Sequence, residues 1–192
     1  MDLYYEETVE MRDSRKKETL RVLCAAAAVI LVAPAFYVGF LGFWTTSPGA
    51  FAGYVIAGVA ILAVAAALWF GRYRLVYDFD YILVNGEMKI VKVLSKRSRK
   101  LAADVKAAQI GKIGKYGSSD YLALTKNPQN KVEILSPNKP ETWKSGYYVS
   151  YTGAYGTVVL AMECTKEYIA NLVKFTGRAI LDKELPYYDL LG

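Results

Sequence analysis

The chain has 192 residues, of which 54% are hydrophobic, and its 24 basic and 18 acidic side chains give a net charge of +6. It contains no histidine, which removes the commonest general base, the usual zinc ligand and the ordinary proton switch near neutral pH. The two cysteines, Cys24 and Cys164, form neither a metal motif nor a disulfide framework, so we interpret both as buried thiols.

The first predicted element is an uncharged block, because residues 22–71 include no Asp, Glu, Lys or Arg. As helices, its two runs 22–44 and 51–71 would measure about 34 and 32 Å, enough to cross a hydrocarbon core of about 30 Å. A buried helix pair of a soluble protein would carry a polar stripe, and a cleaved signal peptide would have a short basic start. Neither pattern is present, so the block predicts a transmembrane helical hairpin that reverses at Pro48-Gly49.

The flanking charges predict the orientation of this hairpin. Five basic residues occur in the tail of residues 1–21, Arg72 and Arg74 follow the second span, and the loop between the spans has none. Cytoplasmic flanks of membrane spans are enriched in Lys and Arg, so both termini are predicted to be cytoplasmic. Neither span contains an ionisable acid or base, which argues against a transporter or a proton path.

Small residues stand four apart within each predicted span. They are Ala35 with Gly39 in the first span, and Gly53 with Ala57 in the second. This spacing lets helix backbones approach closely. It predicts that the two spans pack against each other, and a dimer face is the alternative.

The remaining residues carry 19 basic and 12 acidic side chains from position 72 onward and predict one domain over 72–183. Residues 73–84 alternate with a period of two, which is typical of a strand. Asn85-Gly86 then predicts a type I′ hairpin turn, and residues 87–94 the returning strand. The basic stretch 95–100 is expected to form the next turn. Asp78 and Asp80 are expected to face solvent.

The last part of the chain is mostly short strands followed by one helix. Residues 101–116 are ambiguous, residues 117–146 are rich in turn signals, and two strands are predicted around positions 153–156. Thr165 is a plausible N-cap of an amphipathic helix over about 165–182, and residues 184–192 are expected to be a loosely held tail. The predicted fold class is α+β, with the transmembrane hairpin followed by an antiparallel β-sandwich or barrel and a capping C-terminal helix.

This order of elements is the one expected of a pleckstrin-homology-like (PH-like) fold. The segments "YYEETVEMR" and "YDFDYILVNGEMKIVKVLSKRSRKL", with the two spans between them, resemble a family of small bacterial membrane proteins of unknown function, found mainly in Firmicutes. The resemblance implies a cytoplasmic PH-like domain behind a two-span anchor in the bacterial cell membrane. It supplies no catalytic residues.

The strongest candidate site is a cluster of cations beside the membrane. The candidate residues are Lys96, Arg97, Arg99 and Lys100, with Arg72 and Arg74 at the end of the second span. The cluster is open to three interpretations: a solvated turn, generic contact with anionic phospholipid, or contact with a defined phosphate or an unknown protein partner. Nucleic acid is not an expected partner, because the chain has no recognition-helix motif and a membrane anchor would limit access.

Two classes of function fit these observations. The first is a membrane-anchored binding or scaffolding module whose cytoplasmic domain contacts a protein or the anionic inner leaflet. The second is an accessory subunit of a larger membrane complex that acts through its spans. No residues form an acid, base or nucleophile constellation, so we expect no enzyme activity, no metal site and no cofactor.

Overall fold

The computed structural model describes residues 4–154, 156–177 and 180–190. The chain forms two compact units. One is a helical unit, Asp13–Val76, and the other joins Met1–Arg12 to Tyr77–Gly192. The helical unit is therefore inserted between the first residues of the second unit and the rest of it.

The helical unit consists of two long helices, α1 (Ser14–Leu41) and α2 (Pro48–Gly71). Both are long and apolar enough to span a membrane. The bounds differ from the predicted spans 22–44 and 51–71 because α1 begins inside the polar segment before the apolar run. Lys, Glu, Arg and Leu favour helix formation, so the helix extends through these residues.

The two helices approach most closely at small residues. A Cβ placed on Gly58 would lie 2.9 Å from the Ala35 carbonyl oxygen and 3.3 Å from the Gly39 nitrogen. Ala35 and Gly39 therefore pack against the other span, as predicted. The structure differs for α2, where Gly53 and Ala57 are exposed and Gly58 makes the contact.

The first sheet has four antiparallel strands in the order β1-β2-β3-β4. The strands are β1 (Tyr4–Val9), β2 (Tyr77–Val84), β3 (Glu87–Leu94) and β4 (Ser98–Lys106). The predicted β2–β3 hairpin is present, with positive φ angles of 49° at Asn85 and 81° at Gly86. The N-terminal segment differs from the predicted tail of residues 1–21, because Tyr4–Val9 pairs with β2 and forms an outer strand of the sheet.

The second sheet has the order β5-β7-β8-β6, and its last pair, β8 and β6, is parallel. Its strands are β5 (Ile110–Lys115), β6 (Lys131–Ile134), β7 (Gly146–Gly153) and β8 (Gly156–Glu163). The strands predicted around positions 153–156 are β7 and β8. The turn-rich stretch 117–146 also contains a short helix, α3 (Ser119–Lys126), which its turn signals did not predict.

The core lies between the sheets and the last helix, α4 (Lys166–Thr176). Its fully buried side chains include Tyr81, Leu83, Ile90, Leu160, Ile169 and Leu172. As predicted, Thr165 caps the helix, and its side chain accepts a hydrogen bond from the Tyr168 nitrogen at 3.4 Å.

The C-terminal boundary differs from the predicted helix of about 165–182. The helix ends at Thr176, and the following Gly177 has a φ of 85°, which suits glycine and stops the helical path. Beyond it, Leu185 and Leu190 are buried in the core, so the described part of the predicted tail 184–192 is packed. The two long helices, the two sheets and the closing helix together confirm the predicted α+β class.

Candidate functional site

The β3–β4 turn at the start of the basic cluster has an unusual backbone. Ser95 and Lys96 have φ angles of 49° and 58°, and the Arg97 nitrogen donates to the Leu94 carbonyl at 3.0 Å. This geometry is that of a type I′ turn, which ordinarily uses Asn or Gly at both central positions. A lysine held in the left-handed region is strained, and such strain often marks functional positions.

The structure places only part of the cluster in that turn. Arg99 and Lys100 belong to β4, which corrects the prediction of one turn over residues 95–100. Lys100 lies directly opposite Lys92 of β3. The Lys92 ammonium lies 3.7 Å from the centroid of the Tyr77 ring, which offsets some of the repulsion between the two cations. Sequence reasoning missed Lys92 because its neighbour on the sheet is eight positions away along the chain.

Arg99 has a buried acidic partner. Its Nη2 lies 3.6 Å from Oδ2 of Asp80, while 69% of the Arg99 side chain remains exposed. Asp80 is only 4% exposed and also accepts a hydrogen bond from Thr8 Oγ1 at 2.8 Å. The prediction that Asp80 faces solvent was therefore wrong. This carboxylate links β1, β2 and β4 and orients the Arg99 guanidinium.

The four cations of the cluster form an open surface. Lys96, Arg97, Arg99 and Lys100 are all exposed. In the part of the chain that the structure describes, neither Lys96 nor Lys100 takes part in an ion pair. The arrangement suits contact with an extended anionic surface, because it offers accessible charge at the end of the β3–β4 hairpin.

Arg72 and Arg74 belong to the helical unit and are described with it. The Arg72 guanidinium lies 3.5 Å from the ring centroid of Trp69, and its Nη2 donates to the Tyr73 hydroxyl at 2.8 Å. Arg21 of α1 reaches the same Tyr73 ring at 5.9 Å. Arg72 is thus held by aromatic side chains, whereas Arg74 is exposed.

A second polar cluster fastens the N-terminal segment to the far side of its unit. Arg12 forms an ion pair with Glu163, which is 7% exposed and also accepts from Asn138 Nδ2 at 2.9 Å. Glu7 accepts a hydrogen bond from the Thr165 nitrogen at 3.0 Å, just before α4 begins. Arg12 and Glu163, like Glu7 and Thr165, are more than 100 positions apart in sequence, so no local pattern could have indicated these contacts.

Two buried titratable groups of this unit, Cys164 and Tyr168, serve packing. The pKa of the Cys164 thiol and that of the nearby Tyr168 hydroxyl are both raised, and burial is the largest cause in each case. A buried thiol with a raised pKa is unreactive, in agreement with the interpretation of Cys164. Cys24 differs from that interpretation, because it is only half-buried.

Asp182 fastens the C-terminal segment to the second sheet. It is 2% exposed, and its Oδ2 accepts hydrogen bonds from Ser118 Oγ at 2.6 Å and the Tyr148 hydroxyl at 3.2 Å. Burial acts to raise the pKa of Asp182, but these bonds and one from the Glu184 nitrogen outweigh it and lower that pKa. The charged carboxylate is therefore part of the folded structure.

A comparison with known families adds to this geometry. No curated protein and no solved structure gave a significant match. Residues 1–182 match the family described as Bacterial PH-like domain (DUF6106), and this range includes β1, both helices of the hairpin and α4. The chain accordingly has the features of a PH-like membrane protein: two sheets with a closing helix, and two apolar helices inserted after the first strand. Because the match extends over nearly the whole length, the chain belongs to the bacterial PH-like domain (DUF6106) family.

Proposed function

We propose that this protein is a membrane-anchored binding module whose PH-like domain lies in the cytoplasm and contacts the anionic inner leaflet through its basic β3–β4 hairpin. The observation that carries this proposal is the pairing of β1 with β2. These strands flank the two apolar helices in sequence, and they pair antiparallel in one sheet. The proposed role is binding, with no catalytic step.

The pairing of β1 with β2 supports the side of the membrane on which the domain lies. A chain that crosses the bilayer twice returns to the side from which it started, and strands of one sheet must share a compartment. The basic residues just before α1 and just after α2 favour the cytoplasm for that side. Both termini are then cytoplasmic, and the cell membrane of a bacterium is the location that follows.

The exposed cations provide the attraction to the leaflet. A cation close to an anionic leaflet contributes about 1 kcal/mol, and the attraction falls off over a Debye length of about 8 Å. Lys96, Arg97 and Lys100 contribute most, because Asp80 neutralises part of the Arg99 charge. The total is about 3 kcal/mol. Attachment of the same chain to the bilayer raises the effective concentration of the hairpin at the surface, so this modest energy is sufficient.

The full chain in lipid nanodiscs tests this proposal by amide hydrogen exchange. Amides of residues 94–101 should exchange more slowly in discs that contain phosphatidylglycerol than in discs of phosphatidylcholine alone. Replacing the four cluster cations by alanine should abolish the difference. A control with the same loss of charge replaces exposed lysines elsewhere in the domain: Lys126, Lys139, Lys166 and Lys183. Leaflet contact by this hairpin would be refuted if the amides of the unchanged chain exchanged equally in both lipids. It would also be refuted if the control lost the difference between the lipids as completely as the cluster variant.

A second candidate function uses the spans and rests on one face of α2. Gly53 and Ala57 are exposed there, and a Cβ on Gly53 would meet no atom within 4 Å. Such a face allows close approach of another helix, as an accessory subunit of a membrane complex would need. Exchange of the hairpin for an unrelated two-span hairpin separates the two functions. Partners that are still recovered with the exchanged chain bind the domain, and partners that are no longer recovered with it bind the spans.

A further inference from the structure

The two outer strands of the first sheet carry opposite charge. Residues 4–10, which include β1, contain three carboxylates and no cation. Residues 95–106, which include β4 and its turn, contain five cations and one carboxylate. In the described residues neither strand pairs with a further strand on its outer side. The sheet therefore has one acidic edge and one basic edge, and outer strands such as β1 and β4 can pair with a further strand.

The strand directions allow these two edges to join between molecules. All neighbouring strands of this sheet are antiparallel, and with four strands β1 and β4 run in opposite directions. A second molecule that places its β1 beside β4 would therefore continue the antiparallel order. Its strand of six residues fits within the nine residues of β4.

The register brings opposite charges to the same face of such a joined sheet. Thr8, Asp80, Val91 and Leu101 form one row across the four strands. Glu6 and Arg99 each stand two positions from that row on their own strands, so both side chains lie on the face that this row marks. Opposite charges on adjacent antiparallel strands attract, and like charges repel.

We propose that copies of this protein associate head to tail, with β1 of one copy added to the β4 edge of the next. The same patch does not meet itself, so the contact is heterologous and produces chains or rings of molecules. Confinement to a membrane favours this association, because it raises the local concentration of both edges. The inference goes beyond the proposed function, since Lys96 and Arg97 lie in the turn outside β4 and stay available for the leaflet while Arg99 and Lys100 of β4 face the second copy.

Charge exchange between the edges provides the test. One variant, E6K/E10K, changes the net charge of residues 4–10 from −3 to +1. The other, R99E/K100E, changes the net charge of β4 (Ser98–Lys106) from +2 to −2. Each variant alone has two edges of like charge and should not associate. A mixture of the two restores opposite charges at every contact and should associate. Contact with lipid alone would not restore association when the two variants are mixed.

The readout is energy transfer between fluorophores at the C-terminus of the full chain in phosphatidylcholine vesicles. These neutral vesicles remove leaflet contact, so failure of the proposed function would leave this result unchanged. We expect transfer for the unchanged chain, at least a fivefold loss for each variant alone, and recovery for the mixture. Controls with the same charge changes, E141K/E167K and K126E/K139E, should associate normally. Unfolding midpoints equal to that of the unchanged chain establish that the variants are folded.

A photocrosslinker at Tyr4 identifies the contact directly, because this side chain is 63% exposed on β1. The crosslinked peptide should contain residues 98–106 of another copy. Absence of transfer for the unchanged chain, a mixture that does not recover, or crosslinks to a different protein would each overturn the proposal.

Discussion

The N-terminal strand provides the sharpest test of this architecture. We compare residues 77–192 alone with a chain in which residues 1–12 are joined to residue 77 by a short Gly-Ser linker. Val9 lies opposite Phe79, so the two ends to be joined are close together. The linked chain retains every described strand and lacks only the helical unit. We expect it to fold and the shorter chain to be severely destabilised.

The expected loss can be worked out from the contacts of the N-terminal segment. Met11 is 4% exposed, and removal of such a side chain costs about 1.5–3 kcal/mol. Loss of Arg12 leaves the buried Glu163 carboxylate with its weaker partners, at a cost of about 1–3 kcal/mol. Loss of the Glu7 carboxylate before α4 adds about 1 kcal/mol. Together these losses are about half of the free energy of unfolding of an ordinary domain, which is ~5–15 kcal/mol.

Urea unfolding followed by circular dichroism measures the difference. The linked chain should unfold cooperatively, whereas the shorter chain should have a much lower midpoint or aggregate through the exposed edge of β2. If both chains unfold at the same urea concentration with the same slope, β1 contributes nothing to stability. The strand pairing that places both ends of the hairpin on one side of the membrane would then lose its energetic basis.

Three further predictions concern single residues. Lys96→Gly should raise the free energy of unfolding by about 1 kcal/mol, because glycine accepts the positive φ at no steric cost. The same substitution should make the slowing of amide exchange in anionic nanodiscs smaller, because one cation is lost. Gly114→Ala should lower thermal stability by at least about 1–3 kcal/mol, because its Cβ would lie 2.6 Å from that of Asp182. Gly111→Ala is the matched control on the same strand, with no atom nearer than 3.8 Å, and a loss equal to that of Gly114→Ala would contradict the explanation. Asp182→Asn should destabilise the domain at neutral pH. Since the folded pKa of Asp182 lies below its ordinary value of 3.8, its contribution is present above that value and is lost as the pH falls through the folded pKa. Urea unfolding of both chains at several pH values should show the difference shrinking in acid.

Local patterns predicted the elements that depend on neighbours in sequence. The charge-free run predicted two apolar helices, and Asn85-Gly86 predicted the β2–β3 hairpin with the observed bounds of β3. Thr165 marked the start of α4. Each of these signals acts over a few residues, through backbone conformation or a repeating polarity, so the rest of the fold is not needed to recognise it.

The candidate site was predicted less completely. The sequence located the cations from Lys96 to Lys100, but it placed Arg99 and Lys100 in a turn and Asp80 in solvent. A period of two indicates which residues share a face of a strand, and it does not indicate what covers that face. Asp80 is buried because Thr8 and Arg99 approach it from two other strands.

The sequence by itself determined that the chain contains two membrane-length helices and a basic domain rich in strands, because polarity and turn propensity are written in consecutive residues. Only the tertiary structure decided that Tyr4–Val9 is the first strand of that domain and that the helical unit is an insertion within it. Six residues of alternating polarity can pair with any free strand edge. The choice of β2 depends on Thr8 bonding to Asp80 of β2 itself, and on Arg12 and Glu7 finding partners that become neighbours only when the two sheets have packed.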